Sequence, residues 1–387
     1  MASNWQTSGS ACDVVGDAVD RLDEPWTAAM ILRAVQGLAE SDGMDRRGFL
    51  ALAGVHLNAP AHQWLLERPG GDLSRRGSAR VHAGAVEVID AITAGLRRVD
   101  DSHGGGGAAL TAQLHAHLRH VVELLSSGTY DDSTGKRLYA SAAELLRLRG
   151  WTAFENGEHG MAQRCWIAAL RAADTSGDRA LAANILGFMS CQAKDLASQA
   201  STAVTLAETA RSGYRGTSPR VAAILHLRAA EAYATVGDRR RCHSAIDAAF
   251  DSLDRSGDSP DWSYWIDNPA QVHAQAGFCH LRLGEAAQAR HHLTQALTLS
   301  PDTDHRETAL RHTLLTAAWL HLRQTDVEQA VYHAGHALTL LTGTVNSTRC
   351  AHQLAAVVSA AQDHNHQPAL RVLRHRIQDL LYPPLGG

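Results

Sequence analysis

The stretch GFCHLRLGEAAQARHHLTQALTLSP, residues 277–301, decides how the rest of the chain is read. It describes two short helices joined by a turn at Gly284. Small residues stand at Gly277, Ala289 and Ala296, with bulky Leu293 between the last two. A small residue lets two helix backbones approach closely, and a bulky one fills the gap beside it. Pro301 ends the second helix, because proline cannot continue one.

The same punctuation recurs on either side, and internal repeats dominate any reading of fold. A first unit carries Gly150, Gly157, Ala162, Trp166 and Ala169, and a second has Gly187 with a degenerate turn near Lys194–Asp195. The third has Ala230, Tyr233, Gly237, Cys242, Ile246 and Ala249. Residues 277–301 are the core of the fourth, with His280 at a bulky position. A fifth runs through Ala318, His321, Thr325, Ala330, Ala334 and Ala337, and a weaker sixth covers about 350–381 as a capping unit. This is the tetratricopeptide pattern, although its turns fall about 40 to 47 residues apart rather than at the standard spacing. The expected fold is therefore all-α: a tetratricopeptide-like helical-hairpin solenoid, wound as a right-handed superhelix. No alternating strand pattern of any length is present.

Three regions are expected: 1–43, a polar segment followed by one helix; 44–133, an N-terminal helical region; and 134–387, the repeat array. Within the second region, Val81, Ala85, Val88, Ile89, Ile92 and Leu96 form one amphipathic stripe. Leu110, Leu114, Leu118, Val121, Val122 and Leu125 form another, and the run Gly104–Gly107 separates the two as a linker. The segment Asp45-Arg46-Arg47-Gly48-Phe49-Leu50 looks like a twin-arginine export signal, but it begins more than forty residues in. Its apolar run also stops at His56 and Asn58, so it reads as an internal helix with Phe49, Leu50 and Leu52 buried.

Composition excludes several functions. A net charge of −4 with 20% charged residues gives no basic coat for nucleic acid. No run reaches the length of a membrane span, and the six cysteines form no C-x-x-C pair. Reduced thiols and a cytoplasmic location are expected.

Catalytic motifs are absent: there is no P-loop, nucleophile elbow, H-E-x-x-H or dinucleotide fingerprint. The chain has 23 histidines, with His273, His280, His291, His292, His333 and His336 on predicted helices. No carboxylate or cysteine joins them at ligand spacing, so no metal, cofactor or catalytic residue is expected. The inner face of the array is more informative. Counting along the first helix of each unit gives Arg147, Trp151 and Phe154; Asn184, Phe188 and Gln192; Arg228 and Glu231; Gln271 and Phe278; and His312 and Trp319. Between repeats, DWSYWIDN at 261–268 concentrates Trp262, Tyr264 and Trp265 in a chain that is only 5% aromatic. These side chains either line a ligand cleft or fill a tightly wound core. On the first reading Trp151, Phe188, Arg228, Glu231, Trp265, Phe278 and Trp319 surround one cavity, with Arg228 and Glu231 paired three residues apart.

Two segments carry a resemblance. One is Met44-Asp45-Arg46-Arg47-Gly48-Phe49-Leu50-Ala51-Leu52-Ala53-Gly54; the other runs from Gly128-Thr129-Tyr130-Asp131 through Gly150-Trp151 to Ala162-Gln163-Arg164. Together they resemble the effector portion of bacterial regulators in which an Xre-type helix-turn-helix domain precedes tetratricopeptide-like repeats. The resemblance implies a non-enzymatic regulatory protein whose C-terminal region senses a peptide, small-molecule ligand or partner protein. Only 43 residues precede Met44, carrying the arginines Arg21 and Arg33 and no helix-turn-helix, so direct nucleic-acid contact is not expected. Two alternatives stay open: an enzyme using the groove as its active site, and a regulator contacting DNA itself, possibly as a homodimer.

Overall fold

The computed structural model describes residues 26–40, 55–66, 71–103, 107–196, 199–321, 326–360 and 367–382. Among them are sixteen α-helices and one 3-10 helix. Among the described residues four helices precede the paired ones: α1 (Ala28–Glu40), α2 (Val55–Leu66), α3 (Ala83–His103) and α4 (Ala108–Ser127). The others follow as α5 (Asp132–Glu155), α6 (His159–Ser176), α7 (Arg179–Asp195), α8 (Ala200–Gly213), α9 (Pro219–Thr235) and α10 (Arg239–Leu253). After the 3-10 helix Asp261–Ile266 come α11 (Pro269–Arg282), α12 (Ala286–Thr298), α13 (His305–Leu320), α14 (Val327–Gly343), α15 (Thr348–Ala360) and α16 (Pro368–Leu381). The strand content described is one parallel pairing of Ala79–Arg80 with Gly128–Thr129. The twin-arginine-like segment, Cys12 and Thr325 lie outside the described residues.

The helix boundaries follow from turn chemistry. Gly177 and Gly237 take positive φ, the left-handed geometry that closes a helix and is cheapest for glycine. A capping aspartate follows each of them. The Asp178 carboxylate accepts the Leu181 backbone N–H at 2.9 Å, and Asp238 accepts that of Arg241 at 3.0 Å. Asp131, Ser218 and Asp326 cap α5, α9 and α14 in the same way. Each bond satisfies a donor that the first turn would otherwise leave unpaired.

Helices pack in sequential pairs: α5 with α6, α7 with α8, α9 with α10, α11 with α12, α13 with α14, and α15 with α16. Turns this short between packed helices make each pair antiparallel. Small residues sit where the backbones meet. A Cβ on Gly150 would come within 2.4 Å of the Trp166 ring, and one on Gly277 within 2.5 Å of Leu293 Cγ. The Trp166 indole is fully buried and donates to the Arg147 carbonyl at 3.1 Å. Ala162, Ala169, Ala230, Ala249, Ala289, Ala296, Ala318, Ala330, Ala334 and Ala337 are all buried. The first helices of successive pairs also touch one another, α5 to α7 to α9 to α11 to α13 to α15.

The N-terminal helices pack onto this array. Helix α1 lies on α4 and α6, and α2 lies on α8 with Trp64 fully buried under Arg179. Helix α3 crosses between α5 and α13, elements far apart in sequence. Its buried stripe is Val86, Ile89, Thr93, Leu96, Arg97 and Asp100. The expected stripe is thus rotated: Val88 is 58% exposed, and the inward face ends on charged residues. The α4 stripe is buried as expected. At the far end, Ser347 and Arg349 both bind Glu155, bringing α15 back to α5.

These contacts predict opposite signs for glycine substitutions. Gly150→Ala and Gly277→Ala should each destabilise by about 1–3 kcal/mol through overpacking. Gly95→Ala and Gly335→Ala, whose new methyl groups meet nothing, should be neutral or stabilising by up to about 1 kcal/mol. Urea denaturation of the four variants checks the contrast.

Candidate functional site

The inner faces of the paired helices enclose a cavity of about 540 Å³. Helices α5, α7, α9, α11, α13 and α15 supply most of its wall. The rest comes from α3, through Arg97, Asp100 and Asp101, and from the 3-10 segment, through Trp262, Tyr264 and Trp265. Those two parts are tied together: the Tyr264 hydroxyl donates to Asp101, and Arg97 reaches Asp261 at 3.2 Å.

Aromatic rings form the apolar surface, and cations lie over their faces. Trp151 meets Phe188 edge-on at 5.2 Å. The Arg147 guanidinium lies 5.0 Å from the Phe188 ring centre, and Arg228 lies 5.6 Å from it and 5.9 Å from that of Trp265. Arg306 and Arg349 approach Trp151 at 5.5 and 5.3 Å, and Lys194 approaches Phe278 at 4.6 Å. Such contacts hold a cation against a ring quadrupole where water is scarce.

Eight cationic and six carboxylate side chains line the cavity. A charge moved from water into this setting must be compensated. Arg228 pairs with Glu231 at 3.2 Å, and Arg311 with Asp304 at 3.3 Å and Gln271 at 3.0 Å. Arg306 bridges Asp100, Asp101 and Glu307. Behind the wall, Glu144 accepts from both Arg97 and Arg147 at 2.9 Å. Burial works to raise the Glu144 carboxyl, but the flanking Arg147 and Arg97 overturn it and hold it at about 2. At Asp100 burial prevails: with Asp101 and Glu155 nearby it outweighs Arg306 and pushes the carboxyl up to about 7. Four buried wall atoms, Asp100 Oδ1, Trp262 Nε1, Gln275 Oε1 and Arg311 Nε, have no hydrogen-bond partner among the described residues.

Of the fifteen residues picked out in the sequence, eleven line this cavity: Arg147, Trp151, Asn184, Phe188, Arg228, Glu231, Trp262, Tyr264, Trp265, Gln271 and Phe278. Four do not. Phe154 sits one layer back, between Trp151 and Trp166, under Arg349. Gln192 turns to α6 and donates to the His159 carbonyl at 3.0 Å. His312 faces α14 and meets His333, with nitrogen atoms 2.9 Å apart. Trp319 packs beside Leu293, Leu315 and Ala318, with Arg290 over its ring at 4.7 Å. The error on α13 is one of phase. Its cavity face runs through Arg306, Glu307, Leu310, Arg311 and Leu314, whereas Trp319 lies five residues beyond the last and well round the helix. Sequence counting also missed Arg97, Asp100, Asp101, Lys194 and Arg349. The signal available was the stripe of α3, whose three- and four-residue spacing continues from Leu96 into charged positions.

The five described cysteines are free and buried. No helix among the described residues is long and apolar enough to cross a membrane. In comparisons with known proteins the chain matches no family model and no curated sequence.

Away from the cavity, burial and the neighbouring His333 and His336 press His312 down to about 4, and burial with His336 does the same to His333. Their ordinary value is 6.5, so as pH falls the unfolded chain takes up protons before the folded one. The stability they contribute is full above 6.5 and drains away towards pH 4. Asp100 acts in the opposite sense, since its raised value favours the folded state on acidification. A His312→Gln, His333→Gln double variant should therefore lose less thermal stability between pH 7 and pH 4.5 than the parent does. Melting curves across that range, parent against variant, isolate the histidine contribution.

Proposed function

We propose that this protein is a non-enzymatic regulatory binding protein, a tetratricopeptide-like sensor that takes a small molecule or short peptide segment into its cavity. The observation that carries the reading is the wall itself: aromatic faces, compensated charges and four buried polar atoms without partners, around about 540 Å³. That size falls within the usual range of about 300–1,000 Å³ for small-molecule sites. The unpartnered atoms call for a ligand that offers donors to Asp100 and Gln275 and acceptors to the Trp262 and Arg311 N–H groups. The repeat type rests on the left-handed glycines and the buried small residues at the helix contacts. Influence on transcription, by way of another protein, follows from the resemblance to Xre-type effector regions. Cytoplasmic location belongs to the same proposal.

Native mass spectrometry of the purified protein should reveal a bound small molecule that is released on denaturation. Phe188→Ala should weaken its rebinding by about 1–3 kcal/mol, the scale of a buried aromatic anchor. Trp319→Ala, outside the wall, should leave the affinity unchanged. Titration followed by tryptophan fluorescence reads both, and equal loss in the two variants would remove the cavity from the proposal.

One observation favours a second reading, an enzyme. A buried carboxyl on a cavity wall whose pKa burial pushes up to about 7, as at Asp100, suits proton transfer. On that reading Asp100→Asn abolishes turnover of the co-purified molecule while it still binds. On the sensor reading there is no turnover to lose.

A further inference from the structure

His243, His280 and Glu285 come together outside the cavity, at the junction of the third and fourth helix pairs. One ligand atom from each lies within 4.8 Å of the other two. His243 is on α10, His280 is near the end of α11, and Glu285 stands at the start of α12. Both imidazoles aim at one carboxylate oxygen: His243 Nε2 is 3.0 Å from Glu285 Oε2, and His280 Nδ1 is 2.6 Å from it. The other oxygen is held by Arg239 at 3.0 Å, which fixes the plane of the carboxylate. The His280 and Glu285 side chains are 12% and 10% exposed, whereas His243 is 39% exposed and leaves a path from solvent.

We infer that His243, His280 and Glu285 form a binding site for a divalent transition-metal ion of the zinc class. Two imidazoles and a carboxylate are the donor set such an ion prefers, and three protein ligands leave one position for water or a small ligand. Around a tetrahedral ion, ligand atoms stand roughly 3.4 Å apart, given metal–ligand bonds of about 2.0–2.2 Å. The two imidazole nitrogens therefore need to move less than about 1 Å further from the carboxylate oxygen to admit it. Arg239 takes the part usually played by a group that orients a ligating carboxylate. His292 stacks on the His280 ring at 5.2 Å and limits its rotation. Among the described residues, this is the one such convergence of three donors. It escapes sequence spacing because His243 comes from the preceding helix pair and Glu285 from the turn after His280.

The ion would join α10 to α11 and α12. Helix α11 carries Phe278 on the cavity wall and His280, two residues on, at the metal site, so metal occupancy would steady a helix that bears on the ligand.

The test is calorimetric titration of zinc ion alone into the full-length, tag-free protein after chelator treatment. One saturable equivalent is expected. His280→Ala and Glu285→Gln should each weaken binding roughly 10–100-fold, and His120→Ala, a surface histidine on α4, should not change it. X-ray absorption at the zinc edge of the parent protein should show a shell of two imidazoles and oxygen, a reading that does not depend on how the variants fold. No saturable binding, unchanged affinity in Glu285→Gln, or a shell containing sulfur would overturn the inference.

Discussion

Glu144 lies 6% exposed between two guanidinium groups, Arg147 one turn along its own helix and Arg97 from α3. Each partner leaves an uncompensated buried charge if another is withdrawn, so the three hold position together. Through them α3 is fastened across the first helices of the array, and further along α3 Asp100 and Asp101 meet Arg306 of α13. Without α3 the inner face of the paired helices would be an open groove. With it, that face becomes a cavity walled by α3 as well.

Burial changes the physics of the charged groups in this wall. Arg228 and Arg306 are largely removed from solvent, and they lie on aromatic faces and against carboxylates. The two carboxyls nearest the α3 contact go opposite ways. Glu144 is held at about 2 by two arginines, while Asp100, crowded by other acids and buried, rises to about 7. Both acids are buried; two arginines outweigh that burial at Glu144, whereas at Asp100 one arginine does not outweigh burial and two neighbouring acids.

The two ends of the array meet as well. Arg349 and Ser347 bind Glu155 across 192 residues or more of chain and place Arg349 over Trp151 and Phe154. The ring of first helices is therefore tied at Glu155, and the cavity wall draws on both the first and the last pair. The metal-site residues sit at an interior junction of the same ring, between the third and fourth pairs.

The local rules were legible in the chain itself. Glycine and aspartate set the turns, small residues mark the helix contacts, and a three- and four-residue rhythm marks the faces, because each depends on neighbours within a few positions. Eight cavity residues could be picked out that way, including the pairing of Arg228 with Glu231, and three more from the cluster of aromatics at 262–265. Phase was lost at Trp319 and His312, which lie off the face of α13 that turns to the cavity. Arg306 and Arg349 meet partners more than 190 positions away, and no local spacing marks them; for Arg97 and Asp100 the stripe of α3 indicates an inward face but not the partners. The convergence of His243 and Glu285 on His280 is of that kind too. Periodicity states which face of a helix turns inward. Only the packed fold decides what that face meets, because the meeting is made by contacts between elements that no local spacing encodes.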